Sequence, residues 1–366
     1  MKHKLNERIK NFNITILISL FLLFSCGSGQ QPQAGKDGEA ATGGRSLSEV
    51  LMEVGRSAEN VFYSFMELVS GTLGLRVTKD TTKNQVGDYF KSLGDKLGKA
   101  SEELEQVAVK SNTDVDKDGS IVIAIRSAVD SAKITLSTLK GHLESLKGIG
   151  DANLVGHAHN AQGAGTKADE TELKKALKAL KGIVDTAIAE GIAKLTEGDT
   201  TLTVDGVDNK EGAKILSTNG NPDAADVSKA AVILAAVSGE EMLDSIVKST
   251  EEQAKKIEAV GAKVDTAPLE FAVGGDAGNL AKAEAKASAV AGGIALRSLV
   301  KDGKLATAAA AKNAGGQGEV QAVGVTAVNK LLVAVEDIIK KTVKNVLKTA
   351  KEKIDEARAP KSADQQ

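Results

Sequence analysis

Residues 327–358 read AVNKLLVAVEDIIKKTVKNVLKTAKEKIDEAR. Val328, Leu332, Val335, Ile339, Val343, Val346, Ala350 and Ile354 recur in steps of three and four, so they share one side of an α-helix about seven turns long. Glu336–Lys340 and Asp337–Lys341 place acid before base at the favourable i,i+4 order. Lys340, Lys341, Lys344 and Lys348 read as a solvated helix face rather than a membrane-facing stripe, because Glu352, Asp355 and Glu356 lie close by.

The same period recurs upstream. Ile125, Val129, Ala132, Leu136, Leu139, Leu143 and Leu146 form a heptad seam. Such a seam predicts long helices lying side by side, within the chain or across a dimer. Another helix is predicted over Gln85–Lys110, with Val86, Phe90, Leu93, Leu97, Leu104 and Val107 inward. Its Gly94-x-x-x-Gly98 spacing predicts a close crossing with a neighbour. Ser46-Leu47-Ser48-Glu49 has capping-box spacing and opens the first helix of the folded part, which continues through Phe62 and Phe65. Leu173, Leu177, Leu180, Val184, Ile188 and Leu195 mark a further amphipathic helix. Asn221-Pro222 reads as a helix start. Val227 to Val237 is apolar nearly all round, which predicts a central helix. Ser238-Gly239-Glu240-Glu241 repeats the capping box. Ala281–Leu305 is alanine-rich, and its Gly292-Gly293 pair requires a close contact or a kink, since each glycine costs about 1 kcal/mol in a helix interior.

Four irregular stretches separate these helices: Gly148–Asp169, Glu197–Pro222, Gly261–Asn279 and Asn313–Gly318. Within the second, Thr200–Val204 suits a short strand or hairpin arm, and Asn209–Leu216 a short helix. The fold class is all-α: a bundle of long amphipathic helices with long irregular loops and at most one or two short strands.

Composition narrows the chemistry. Aromatic residues are 2% of the chain and Trp is absent, so alanine, valine, isoleucine and leucine must fill the core. Most ligand pockets use larger apolar and aromatic side chains. Asp114-Val115-Asp116-Lys117-Asp118-Gly119 copies the first half of a calcium-binding loop, but position twelve is Ile125 rather than a bidentate glutamate. An acidic turn before a helix is the better reading. His157 and His159 have no third ligand group nearby in sequence and read as a solvated pair. No P-loop, dinucleotide fingerprint, zinc spacing or nucleophile triad is present. The sequence is therefore read as a non-enzyme with no cofactor, no metal site and no catalytic residues.

The N-terminus carries Lys2, Lys4, Arg8 and Lys10, then the apolar run Ile14–Phe24, then Ser25-Cys26-Gly27. A basic start, a short apolar core and a small residue before the cut describe a secretory signal over residues 1–25. The run is shorter than the roughly 20 residues a membrane span needs. Leu23-Phe24-Ser25-Cys26 resembles a bacterial lipobox, although Phe24 departs from the small or branched residue usual there. The resemblance implies acyl chains on Cys26. Cys26 is the chain's one cysteine, which excludes an intrachain disulfide. Removal of residues 1–25 leaves 43 basic and 48 acidic residues, a net charge of −5. Such a surface offers no attraction to a nucleic-acid backbone. Residues 26–45 are rich in Gly, Gln and Ala and read as a lipidated flexible tether with a reach of roughly 25 Å. Residues 46–358 form a single helical domain, and 359–366 a polar tail.

Six segments together carry a specific likeness: Ala58–Gly74, Val86–Lys110, Asp208–Leu216, Val237–Ser249, Ala289–Ala306 and Ala327–Arg358. They resemble the variable large proteins of relapsing-fever Borrelia, within the variable major protein family, and are similar to the variable surface lipoprotein of Lyme spirochaetes. The resemblance spans essentially the whole chain. It implies a surface-exposed outer-membrane lipoprotein, held by lipid through Cys26, that serves antigenic variation and immune evasion against host antibodies. An adhesin for a host protein or glycan is the alternative, and a homodimer stays open.

Overall fold

A computed structural model describes residues 47–72, 74–111 and 119–358, without the side chains of 47–48 and 64–72. The signal, Cys26, the tether, Ser46, the acidic turn at 114–118 and the tail lie outside the described residues. Ten α-helices are described: α1 (Leu47–Thr72), α2 (Lys83–Ser111), α3 (Ser120–Leu146), α4 (Glu170–Ala189), α5 (Ala224–Ala235), α6 (Gly239–Val247), α7 (Pro268–Val273), α8 (Ala277–Leu280), α9 (Ala287–Leu299) and α10 (Gln317–Arg358). Among the described residues, extended structure consists of six isolated bridges and four short strands in two small pairs, more strands than the one or two expected. The hairpin β1 (Thr203–Val204) with β2 (Val207–Asp208) is antiparallel, and β3 (Ser217–Asn219) runs parallel to β4 (Gly275–Asp276). The all-α reading holds.

α10 has 42 residues and is therefore about 63 Å long. It packs against α1, α3, α4, α5, α6 and α9. All seven residues of the heptad seam are buried in α3. The helices that fill that seam are α2, α4 and α10 of the same chain. The predicted crossing at Gly94 and Gly98 is also present. A Cβ at Gly94 would lie 3.5 Å from the Lys140 carbonyl oxygen, so α2 and α3 are already in van der Waals contact there.

The central helix is α9 rather than α5. α5 buries Val227, Ala230, Ile233 and Leu234 but exposes Ala225, Ser228, Ala231 and Val232. Its apolar composition hid a one-sided helix, because alanine tolerates water almost as well as a core. Its start also differs from the expected Asn221-Pro222. Asp223 is the N-cap, and its amide donates to Asp226 Oδ2 at 2.9 Å. α9, by contrast, buries all thirteen of its residues. The Gly292-Gly293 pair makes a contact, not a kink. A Cβ at Gly292 would lie 3.1 Å from Pro268 Cβ, and one at Gly293 would overlap Phe271 Cβ. The partner is α7, a buried helix inside a stretch read as irregular. With only six residues, α7 is too short to show a helical period.

Gly293→Ala is expected to destabilise the fold by about 2 kcal/mol through overpacking. Gly141→Ala, on an exposed face of α3 with nothing within 4 Å of the new methyl, should be neutral or stabilising by up to about 1 kcal/mol. Urea denaturation of both variants checks the pair.

Candidate functional site

The bundle has two distinguishable ends. One is where the chain enters from the tether. There the Arg358 guanidinium at the end of α10 fills the space beside Gly55 in α1. Lys110 Nζ, near the end of α2, reaches Ser57 Oγ at 3.4 Å. Arg126 of α3 donates to Glu105 of α2 at 2.6 Å. The start of α1, the end of α2, the start of α3 and the end of α10 therefore meet.

The opposite end carries the segment 148–169, the turn 300–316 and the β3–β4 pair. The 148–169 segment lacks helices but is not loose. Ala158 bridges Leu305, Gly163 bridges Thr307 and Thr166 bridges Lys304. Ile149, Val155, Ala158 and Ala168 are buried. Side chains of α10 hold this end and the neighbouring loops by their backbones. Gln317 Nε2 donates to the Ala158 carbonyl at 3.1 Å. Gln321 Nε2 donates to Lys79 and Val155 carbonyls at 2.8 and 3.2 Å. Asn329 both accepts from the Val77 amide and donates to the Val77 carbonyl, each at 2.9 Å. Lys330 Nζ donates to the Leu234 and Val237 carbonyls at the end of α5. That is where a cation best meets unsatisfied helix carbonyls.

Two buried cations complete the loop-bearing end. Lys83 is fully buried; its Nζ donates to the Val300 and Gly303 carbonyls at 2.7 and 2.8 Å, with Asp151 4.0 Å away. Burial lowers its pKa to about 8 against the attraction of Asp151 and Asp302. Burial also raises the Asp151 carboxyl, but the Asp302 amide, the Lys83 ammonium and Asn153 outweigh it and hold that group below its ordinary value. Arg297 of α9 is fully buried too. Its Nε donates to the Ala272 carbonyl at 2.7 Å and its Nη2 to the Phe271 carbonyl at 3.2 Å. Burial lowers its pKa to about 9, so it stays charged at neutral pH. Neither cation was recognisable in sequence. Lys83 follows a Thr-Thr pair and Arg297 lies in an apolar helix, and nothing local marks either as interior.

His157 and His159 are half-buried rather than solvated. The Leu305 amide donates to the His157 carbonyl, and the His159 amide donates to the Leu305 carbonyl. Burial lowers the His157 pKa, helped by Lys304 and Lys83. Among the described residues no group of three His, Cys, Asp or Glu side chains is arranged to hold a metal ion. No described helix is long and apolar enough to cross a membrane. A groove of about 730 Å³ runs beside α10, with Leu75, Leu195, Val333 and Ile338 among its walls. Glu240, Asp337, Lys330 and Lys341 line it as well.

Among the short arcs that the loop-bearing half offers to solvent are 152–154, 160–162, 203–208, 258–260, 263–265 and 310–314. The β1–β2 turn projects through Asp205 and Gly206, both with positive φ. Residues 268–275 and 212–217, inside stretches read as irregular, are mostly interior.

Residues 58–354 match the profile of the Borrelia lipoprotein family. The chain belongs to that family. It is 61% identical to variable large protein 25 and 60% identical to variable large protein 18, both of Borrelia hermsii, over the full length of each chain. Its fold is similar to the crystal structure of the Lyme disease variable surface antigen VlsE of Borrelia burgdorferi, with a TM-score of 0.65 and 24% identity. That likeness covers 84% of this chain and 98% of the other. The family and fold expected from the six quoted segments are thus found. The curated relatives carry names of variable large proteins rather than of enzymes.

Lys83 supplies a pH test of the buried cation. Its folded pKa lies below the unfolded one, so the unfolded chain binds more protons between about pH 8 and 10.5. The contribution of Lys83 to stability therefore rises across that window and is smallest below it. Relative to Lys83→Met, the wild-type protein should gain about 2 kcal/mol between pH 8 and pH 10, read from denaturant midpoints.

Proposed function

We propose that this chain is an outer-membrane surface lipoprotein whose exposed arcs present variable epitopes to host antibodies, with Cys26 as the acylated residue. One chain holds a protein to a membrane only marginally, and two or three on one cysteine hold it durably. Residues 1–25 serve as the signal and 26–45 as the tether under this reading. Residues 46–358 form one helical antigen domain, followed by a polar tail.

The observation that supports it best is how the arcs are held. Gln317 and Gln321 on α10 grip the segment between the arcs 152–154 and 160–162 by its backbone carbonyls, which every residue possesses. Loop side chains can then change without loss of those bonds, and surface substitutions away from buried features usually move stability by less than about 0.5 kcal/mol. The names of the relatives, variable large proteins, agree with such tolerance. The arcs also lie away from the end where the tether enters.

Three outcomes are expected. Fatty-acid labelling should be lost in Cys26→Ala, and equal labelling would end the anchor reading. Trypsin added to intact cells should cleave the protein, and full protection would end the surface reading. Transplanting the six arcs from another variant should move antiserum reactivity with them, and retention of reactivity by the helices would end the epitope reading.

A further inference from the structure

The tether end carries exposed apolar side chains that the fold does not use. Met52 in the second turn of α1 is 50% exposed, Val109 near the end of α2 is 51% exposed, and Ile123 in the first turn of α3 is 60% exposed. Ile121 and Val122 beside them are half-buried. The ion pairs and packing described above place these three helix ends together. Counted along the helices, Met52, Val109 and Ile123 lie within about 10 Å of the ends that meet there.

We propose that this end of the bundle rests on the lipid surface, with Met52, Val109 and Ile123 entering the headgroup layer; this rests on the anchor reading above. The occupant follows from the chain outside the described residues. Only twenty residues separate Cys26 from Leu47, where α1 begins. An acylated Cys26 therefore holds this end at an r.m.s. distance of roughly 25 Å from the membrane, and at no more than about 70 Å with the tether fully extended. At that range the end meets lipid at high effective concentration, and modest affinity suffices. The three side chains are apolar, whereas their neighbours Glu49, Arg56, Lys110 and Glu352 are of both signs and suit a zwitterionic headgroup layer. Interfacial contacts of this kind bury apolar side chains by about 5–10 Å, comparable to the distance of these three positions from the helix ends. The consequence is an upright bundle whose arcs are held away from the membrane rather than sweeping near it.

The absence of Trp from the chain makes the test clean. Ile123→Trp and Val260→Trp each introduce a sole indole, the first at the tether end and the second on an arc, at a residue that is 76% exposed. Val109→Trp is a second reporter at the tether end should Ile123→Trp fold poorly. The acylated full-length variants are inserted into phosphatidylcholine vesicles carrying a shallow spin-label quencher, and flotation is measured on the same samples. The expected result is flotation, with emission at position 123 blue-shifted and quenched at least twofold while emission at 260 is unchanged. Flotation with both indoles unquenched overturns the resting contact and leaves the anchor intact. Failure to float overturns the anchor and this inference with it.

Discussion

The 77–79 and 155–158 segments are held through their main chain by side chains of the long helix α10, alongside backbone bridges to residues 304–307. Gln317, Gln321 and Asn329 spend their donors on carbonyls of the 155–158 and 77–79 segments, and Lys330 spends its own on the carbonyls that end α5. A buried carbonyl left unpaired costs about 1–3 kcal/mol, so these bonds decide where the segments lie. They read the peptide and ignore the side chain. One rigid helix can therefore position several loops whose exposed residues differ.

That helix needs a fixed wall to lie against, and α9 provides it. Every residue of α9 is interior, and its glycine pair lets α7 approach until backbone meets side chain. Arg297 then reaches from α9 to the two carbonyls that end α7. Lys83 does the same from α2 to the carbonyls that follow α9. Both cations satisfy helix ends that apolar side chains could not. With few aromatic residues in the chain, close backbone approach replaces bulk as the means of filling space.

The long helices were legible because their period is long enough to count. The seam of α3, the face of α10 and the Ser238 capping box all read directly from spacing; the Ser238 amide indeed donates to Glu241 Oε2 at 2.7 Å. The hairpin was legible from threonine and valine bounded by Asp205-Gly206. What escaped was short or composed of alanine. α7 has too few residues to show a face, and α5 and α9 have similar composition with opposite burial. The 148–169 segment looked free because its glycines and alanines carry no period, yet its partners lie some 150 residues away near Leu305. Pairing of that kind is a tertiary fact with no local trace. The backbone donors on α10 were invisible for the same reason: a glutamine facing a loop and one facing water look alike in sequence.

The most direct test is hydrogen exchange at the amides of Val155, Gly156 and His157. It compares Gln321→Ala with a variant in which Asn160 and Gln162 are both alanine. If backbone grip by α10 holds the loop, Gln321→Ala speeds exchange at these amides at least tenfold, while the double alanine variant matches wild type. Unchanged exchange in Gln321→Ala, with acceleration in the double variant, would show that loop side chains hold the loop, and would contradict the account.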